Sequence, residues 1–207
     1  MTFVKICGIT NLTDALSAVD AGADALGFNF YPASPRYLEP TAARAIIKHL
    51  PSGILTVGVF VNEDTPASVE KIADEAGVRA LQLHGDESPE FCAALSHREV
   101  IKVLAIGPGF DPRSALEYDA QVFMVDAFDK KARGGTGRVI DWSMARTVRN
   151  LVPRLYLAGG LSAENISIAI SQVAPFAVDA CSALEVSPGR KDPEKVRAFV
   201  AAARRSG

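Results

Sequence analysis

Short apolar, β-branched runs alternate along the chain with segments patterned for helix. The runs are Phe3 to Ile6, Ala25 to Phe30, Leu55 to Val61, Ala80 to Leu83, Val100 to Ile106, Val122 to Val125, Leu155 to Ala158 and Phe176 to Val178. Their length and composition are those of strands buried on both faces. Between them, apolar residues recur at helical spacing behind start signals, as in Thr13-Asp14 ahead of Ala15, Leu16, Ala18 and Val19, or Pro66 ahead of Val69, Ile72 and Ala73. Further helices are expected to begin near Pro40, Ser88, Pro112, Asp141, Ser162 and Asp192. Strict strand-helix alternation with short connections predicts a parallel sheet, and eight repeats predict closure into a (β/α)8 TIM barrel, one α/β domain over residues 1–207. An open doubly wound sheet is the alternative, because it alternates in the same way.

In a closed barrel, strand side chains point alternately to the interior and to the helix layer, and reactive groups gather at the C-terminal strand ends. Alternation therefore sorts the polar residues. Val4 and Ile6 face the helices, which turns Lys5 and Cys7 inward. By the same rule Gln82 and His84 point inward between Leu81 and Leu83, as do Met124 and Asp126 beside Phe123 and Val125, and Asp179 beside Val178. Four strands thus aim Cys7, His84, Asp126 and Asp179 at one rim, where burying such groups is costly unless they serve chemistry.

Two loops add a second signal. Ala158-Gly159-Gly160-Leu161 follows the seventh strand and Asp179-Ala180-Cys181-Ser182-Ala183 closes the eighth. Barrels of this kind hold phosphate at these two places, on backbone N–H groups and a helix N-terminus. Gly134-Gly135-Thr136-Gly137, after the sixth strand, is expected to form a mobile loop that closes over ligand. Ser34-Pro35-Arg36 lies after the second strand, where the guanidinium can grip a carboxylate with two hydrogen bonds.

Charge narrows the ligand. With 22 Lys and Arg against 24 Asp and Glu, the formal net charge of -2 provides no basic excess for nucleic acid or an anionic membrane, so a small phosphorylated molecule is expected and any positive field must be local. No apolar run reaches the roughly 20 residues of a membrane span, and Met1-Thr2-Phe3-Val4-Lys5 lacks the layout of a signal peptide, so a cytoplasmic protein is expected. Cys7, Cys92 and Cys181 are too few and too widely spaced for a disulfide framework or a zinc site and read as reduced thiols. Cys92 sits among Phe91, Ala93, Ala94 and Leu95 and reads as packing, as does Trp142 at a helix start.

These residues closely resemble a known family. Lys5-Ile6-Cys7-Gly8-Ile9-Thr10, Gly27-Phe28 with Ser34-Pro35-Arg36, Leu81-Gln82-Leu83-His84-Gly85-Asp86-Glu87, the Asp126 strand with its glycine loop, and Leu157-Ala158-Gly159-Gly160-Leu161 match, in order along the whole chain, phosphoribosylanthranilate isomerases. The resemblance implies an Amadori rearrangement in tryptophan biosynthesis, run without metal or organic cofactor by a monomer or homodimer. Asp126 would be the general acid, if burial raises its pKa, and Cys7 the general base, acting as thiolate. Lys5 could stabilise that thiolate or simply pair with Asp179. Arg36 would hold the anthranilate carboxylate, backbone at Gly159, Gly160, Ser182 and Ala183 the phosphate, and Gly135 would cover the ligand. Asp179 and His84 would orient sugar hydroxyls or support the rim.

The chain departs from the family at Val178-Asp179-Ala180-Cys181-Ser182-Ala183-Leu184-Glu185, where Val-Asp-Val-Ser-Ser-Gly-Val-Glu is usual. Ala183 in place of glycine would be strained by about 1 kcal/mol or more if the backbone there is left-handed. Cys181 comes within disulfide reach of Cys7 if the eighth strand keeps its inward alternation, and swings away if a turn begins at Ala180. Two rival functions are an indole-glycerol-phosphate synthase relative, for which no lysine acid and carboxylate pair stand at the right strand ends, and a silent barrel that binds phosphorylated metabolites as a sensor or scaffold.

Overall fold

The computed structural model describes residues 1–127 and 140–206. Eight parallel strands, β1 (Phe3–Ile6), β2 (Ala25–Asn29), β3 (Leu55–Phe60), β4 (Ala80–Leu83), β5 (Glu99–Ile106), β6 (Val122–Ala127), β7 (Arg154–Leu157) and β8 (Ala177–Ala180), pair in sequence order and close into a barrel. The pairing that closes it, β1 on β8 with Lys5 opposite Asp179 and Ile6 opposite Ala180, rules out the open sheet. Helices α1 (Leu12–Asp20), α2 (Pro40–Ile47), α3 (Pro66–Ala76), α4 (Pro89–Ala94), α5 (Trp142–Arg149), α6 (Ile166–Val173) and α7 (Pro193–Ser206) cover the outside.

The helix starts follow local chemistry. Asn11, Thr65, Ser88 and Asp141 each cap a helix by accepting a backbone N–H, and Pro opens α2, α3 and α4, where its missing N–H costs nothing. Two expectations need correction. The segment from Pro112 makes only a 3₁₀ turn, Pro112–Glu117, because it buries Ala115 alone and has no apolar stripe to dock a longer helix. The helix expected from Ser162 begins at Ile166, since Ser162 donates its N–H to the Asn165 side chain and the chain turns once before the helix starts.

Alternation along the strands separates two cores. Val4, Ile6, Leu81, Leu83, Phe123, Val125 and Val178 pack outward against the helices, while Val57, Ile101, Val103, Met124 and Tyr156 fill the barrel. The filled interior leaves the C-terminal rim as the place for polar groups. Cys92 and Trp142 pack against the helix-side core as expected, and burial pushes the Cys92 thiol up to about 11.

A hairpin that the sequence reading did not foresee follows β8: a 3₁₀ turn over Ser182–Leu184, then β9 (Glu185–Ser187) and β10 (Arg190–Lys191) in antiparallel pairing. The Pro188-Gly189 turn between them, with Gly189 at φ 79°, was its available signal.

One buried ion pair sits in the helix layer beneath the rim. Lys102 Nζ donates to Glu87 Oε2 at 2.6 Å and to the Gly85 carbonyl at 2.8 Å, both side chains being inaccessible to water. Glu87 also accepts the backbone N–H groups of Asn62 and Gly85, which fixes the loop that follows β4. Lys102→Met should therefore lower unfolding free energy by about 3–5 kcal/mol, because it strands the Glu87 charge. Urea denaturation measures this, and a loss below about 1 kcal/mol would show that the pair is not what secures the loop.

Candidate functional site

Cys7, His84, Asp126 and Asp179 meet the C-terminal rim as alternation predicts, Cys7 and His84 just beyond the ends of β1 and β4 and Asp126 and Asp179 each one residue inside the ends of β6 and β8. Cys7, Asp126 and Asp179 are buried and His84 is nearly so. Gly27 makes room for the first of them. A Cβ at that position would lie 2.7 Å from the Cys7 sulfur and 3.1 Å from Lys5 Nζ, so only glycine lets both side chains point inward across β2.

Lys5 pairs with Asp179, and its charge also reaches Cys7. Its Nζ donates to Asp179 Oδ1 at 2.8 Å, deep in the barrel. Burial alone would lower the Lys5 pKa, but the charges of Asp179 and Cys7 and their hydrogen bonds outweigh it and hold the ammonium above its ordinary range. Burial likewise pushes Asp179 up to about 6 against the pull of Lys5, so the pair is ionic at neutral pH. One carboxylate oxygen of Asp179 is thus committed to Lys5.

The Cys7 thiol is held well below its ordinary value. A hydrogen bond from Cys181 is the largest cause; burial opposes it, and Lys5 and Lys191 add favourable charge. Cys7 and Cys181 are both free thiols. Strand β8 runs through Ala180, and the 3₁₀ turn begins at Ser182 with Cys181 as its cap.

Asp126 Oδ1 accepts the Ala127 N–H at 2.7 Å, and Oδ2 faces His84 Nε2 at 3.3 Å. Gln82 Nε2 lies 2.9 Å from His84 Nδ1. With the amide in this orientation Nδ1 accepts and Nε2–H points at Asp126, while Gln82 Oε1 is left buried without a partner among the described residues. His84 is thus a partner of Asp126.

Arg36 departs from the simple carboxylate grip. Its Nε and Nη2 donate to Glu185 at 2.9 and 2.7 Å, in the bidentate geometry expected for a ligand. Nη1 bonds to none of the described residues. Glu185 and its second partner Lys191, at 3.0 Å, were given no role because they lie on the unforeseen hairpin; the match of Glu185 to the family's glutamate at that position was the available signal.

Gly159, Gly160, Ser182 and Ala183 line one pocket, closed on the barrel side by Asp126 and Asp179. The N–H groups of those four residues donate to no described acceptor. Gly159 and Gly160 have φ of 85° and 64°, which other residues adopt only with strain, and a Cβ on Gly159 would strike Ile140 at 2.7 Å. The late start of α6 leaves the 3₁₀ turn at Ser182 as the nearest helical N-terminus. Ala183 is not in the left-handed region, so the strain expected there is absent. Gly135, with Gly134, Thr136 and Gly137, lies outside the described residues.

Comparison with known proteins agrees with this geometry. Residues 4–202 match the model of the family described as N-(5'phosphoribosyl)anthranilate (PRA) isomerase. The chain is 49% identical over 201 residues to the N-(5'-phosphoribosyl)anthranilate isomerase of Thermotoga neapolitana, covering 97% of each chain. Among solved structures it is similar to phosphoribosyl anthranilate isomerase from Thermus thermophilus, with TM-score 0.91, 37% identity and 99% of both chains covered. It is also similar to a phosphoribosyl anthranilate isomerase solved in complex with reduced 1-(o-carboxyphenylamino)-1-deoxyribulose 5-phosphate, with TM-score 0.88, 41% identity and 99% of both chains covered.

Proposed function

The chain belongs to the N-(5'-phosphoribosyl)anthranilate isomerase family, and from that premise we propose that Cys7 and Asp126 are the base and acid of its reaction. The reaction is the isomerisation of N-(5-phosphoribosyl)anthranilate to 1-(2-carboxyphenylamino)-1-deoxyribulose 5-phosphate, a step of tryptophan biosynthesis. What carries the assignment is the convergence of a low-pKa thiol and a buried carboxylate on one rim, beside a pocket of unsatisfied N–H groups.

Asp126 gives its proton to the furanose ring oxygen as the C1′–O bond breaks, and the nitrogen lone pair closes the iminium. That cation acidifies the C2′ hydrogen, which the Cys7 thiolate removes as the electron pair moves to form the enolamine. Tautomerisation to the ketone moves the proton of the 2′ enol hydroxyl to C1′, and the proton held by Cys7 returns to Asp126 through solvent, which resets both groups. Hydrogen moves from C2′ to C1′ with no net change in oxidation state, so the chemistry calls for no external redox cofactor. His84 holds Asp126 in place through its Nε2–H, and the N–H groups of Gly159, Gly160, Ser182 and Ala183 take the phosphate. No helix among the described residues is long and apolar enough to cross a membrane.

The direct test is turnover of freshly prepared phosphoribosylanthranilate, followed by loss of its fluorescence. Binding without conversion would instead favour the sensor barrel.

Arg36 is the carboxylate grip in this reading, with Nη1 presented to substrate and Glu185 fixing the plane of the guanidinium. Arg36→Ala should raise KM by about 10-fold or more while lowering kcat far less, as befits a remote binding group. The same variant should lose thermal stability, because Glu185 keeps only Lys191 as a charged partner. A pure fall in kcat would place Arg36 in the chemistry instead.

A further inference from the structure

We infer that Cys181 is a positioning residue for this reaction, its thiol donating a hydrogen bond to the Cys7 sulfur so that it acts through the base without touching substrate. The inference rests on the reading of Cys7 as base.

Strand register brings the two sulfurs together. Ile6 stands opposite Ala180, and the Cys7 N–H donates to the Ala180 carbonyl at 3.0 Å, so the next pair across the seam is Cys7 and Cys181. The Cys181 sulfur then lies over the end of β1, 2.8 Å from where a Cβ on Gly8 would sit. Glycine at position 8 is what gives the sulfur this space.

Two acceptors compete for the Cys181 proton. Glu185 Oε1 is 3.8 Å from its sulfur, but that oxygen already accepts from Arg36 Nε at 2.9 Å, Lys191 Nζ at 3.0 Å and the Gly189 N–H at 3.3 Å. An oxygen with three closer donors has little to offer a weak fourth. The Cys7 sulfur is the acceptor left, and as a thiolate it forms a charge-assisted bond.

The surrounding cations favour a negative charge on the sulfur pair without selecting the sulfur, since Lys5 acts on Cys7, Arg36 on Cys181 and Lys191 on both. Lys5 from β1 and Lys191 from β10 approach the pair, with Lys191 Nζ 3.7 Å from the Cys181 sulfur, and Arg36 stands behind it from the loop after β2. Of the carboxylates facing this cluster, Asp179 on β8 is tied to Lys5 and Glu185 on β9 to both Arg36 and Lys191. Against those cations, hydrogen bonding and burial push Cys181 well above the ordinary thiol range, while Cys7 falls below it.

The test compares Cys181→Ala and Cys181→Ser with the parent in two measurements: the pH dependence of iodoacetamide alkylation at Cys7, read by peptide mass, and the acid limb of kcat/KM. Cys92 and Cys181 have raised pKa values, so alkylation near neutrality reports Cys7. Cys181→Ala should move both midpoints up by about one pH unit, which lowers kcat/KM below the midpoint about tenfold, with KM little changed. Serine, which also donates, should restore both towards the parent. An alkylation midpoint unmoved in Cys181→Ala would overturn the inference and leave Cys181 as packing. A moved alkylation midpoint with an unmoved acid limb would confirm the sulfur pair but overturn Cys7 as base, and the role of Cys181 in the reaction with it.

Discussion

Cys7→Ser should lower kcat by about 100-fold or more while leaving the barrel folded, since general-base contributions typically lie at 10² to 10⁴. The substitution exchanges sulfur for oxygen in a space cut by Gly27 and leaves the Lys5–Asp179 pair in place, so packing and the β1–β8 seam should survive. What it removes is acidity. Cys181, Lys5 and Lys191 hold the thiol well below its ordinary value, and the same surroundings acting on an alcohol begin from a far higher pKa. KM should change little, because the proton transfer is made only in the transition state. The sign of the pH dependence follows from the depressed thiol pKa. Activity of the parent should be fully present above it and fall as pH falls through it, at a midpoint below that of an ordinary cysteine. Steady-state fluorescence with a circular dichroism control measures both, and near-normal turnover by the serine variant would remove Cys7 from the mechanism.

Asp126→Asn should cost a similar factor in kcat by a different route. An amide of the same shape can still accept the Ala127 N–H through Oδ1. It cannot protonate the ring oxygen, and if its nitrogen takes the place of Oδ2 it meets the Nε2–H of His84, donor against donor. Relief would require the imidazole proton to move to Nδ1, where the Gln82 amide nitrogen already donates. The variant should therefore lose at least about 100-fold in kcat and bind substrate almost normally. A loss confined to KM would make Asp126 a binding group and leave the general acid to be sought elsewhere on the rim.

Much of this site follows from local rules that a sequence already contains. Alternation has a period of two within each strand, so placing Val4 and Ile6 on the helix side settles Lys5 and Cys7 without knowledge of any other strand, and the same holds for Gln82, His84 and Asp126. Caps at Asn11, Thr65, Ser88 and Asp141 act over three residues and are equally legible. Eight such units with short connections have few ways to bury their strands, which is why the closed barrel could be read as well.

Tertiary structure alone decided what the rim groups bind. The Lys5–Asp179 pair spans 174 residues and the Arg36–Glu185 pair spans 149, and both exist only because closure lays β8 and its hairpin against β1 and the loop after β2. No local period encodes such a distance. The choice between an arginine open to ligand and one already half engaged by Glu185, or between Cys181 facing Cys7 and turned from it, depends on where the strand ends. The last bond of the β1–β8 seam, from the Cys7 N–H to the Ala180 carbonyl, marks that endpoint, and it forms only once the chain has folded.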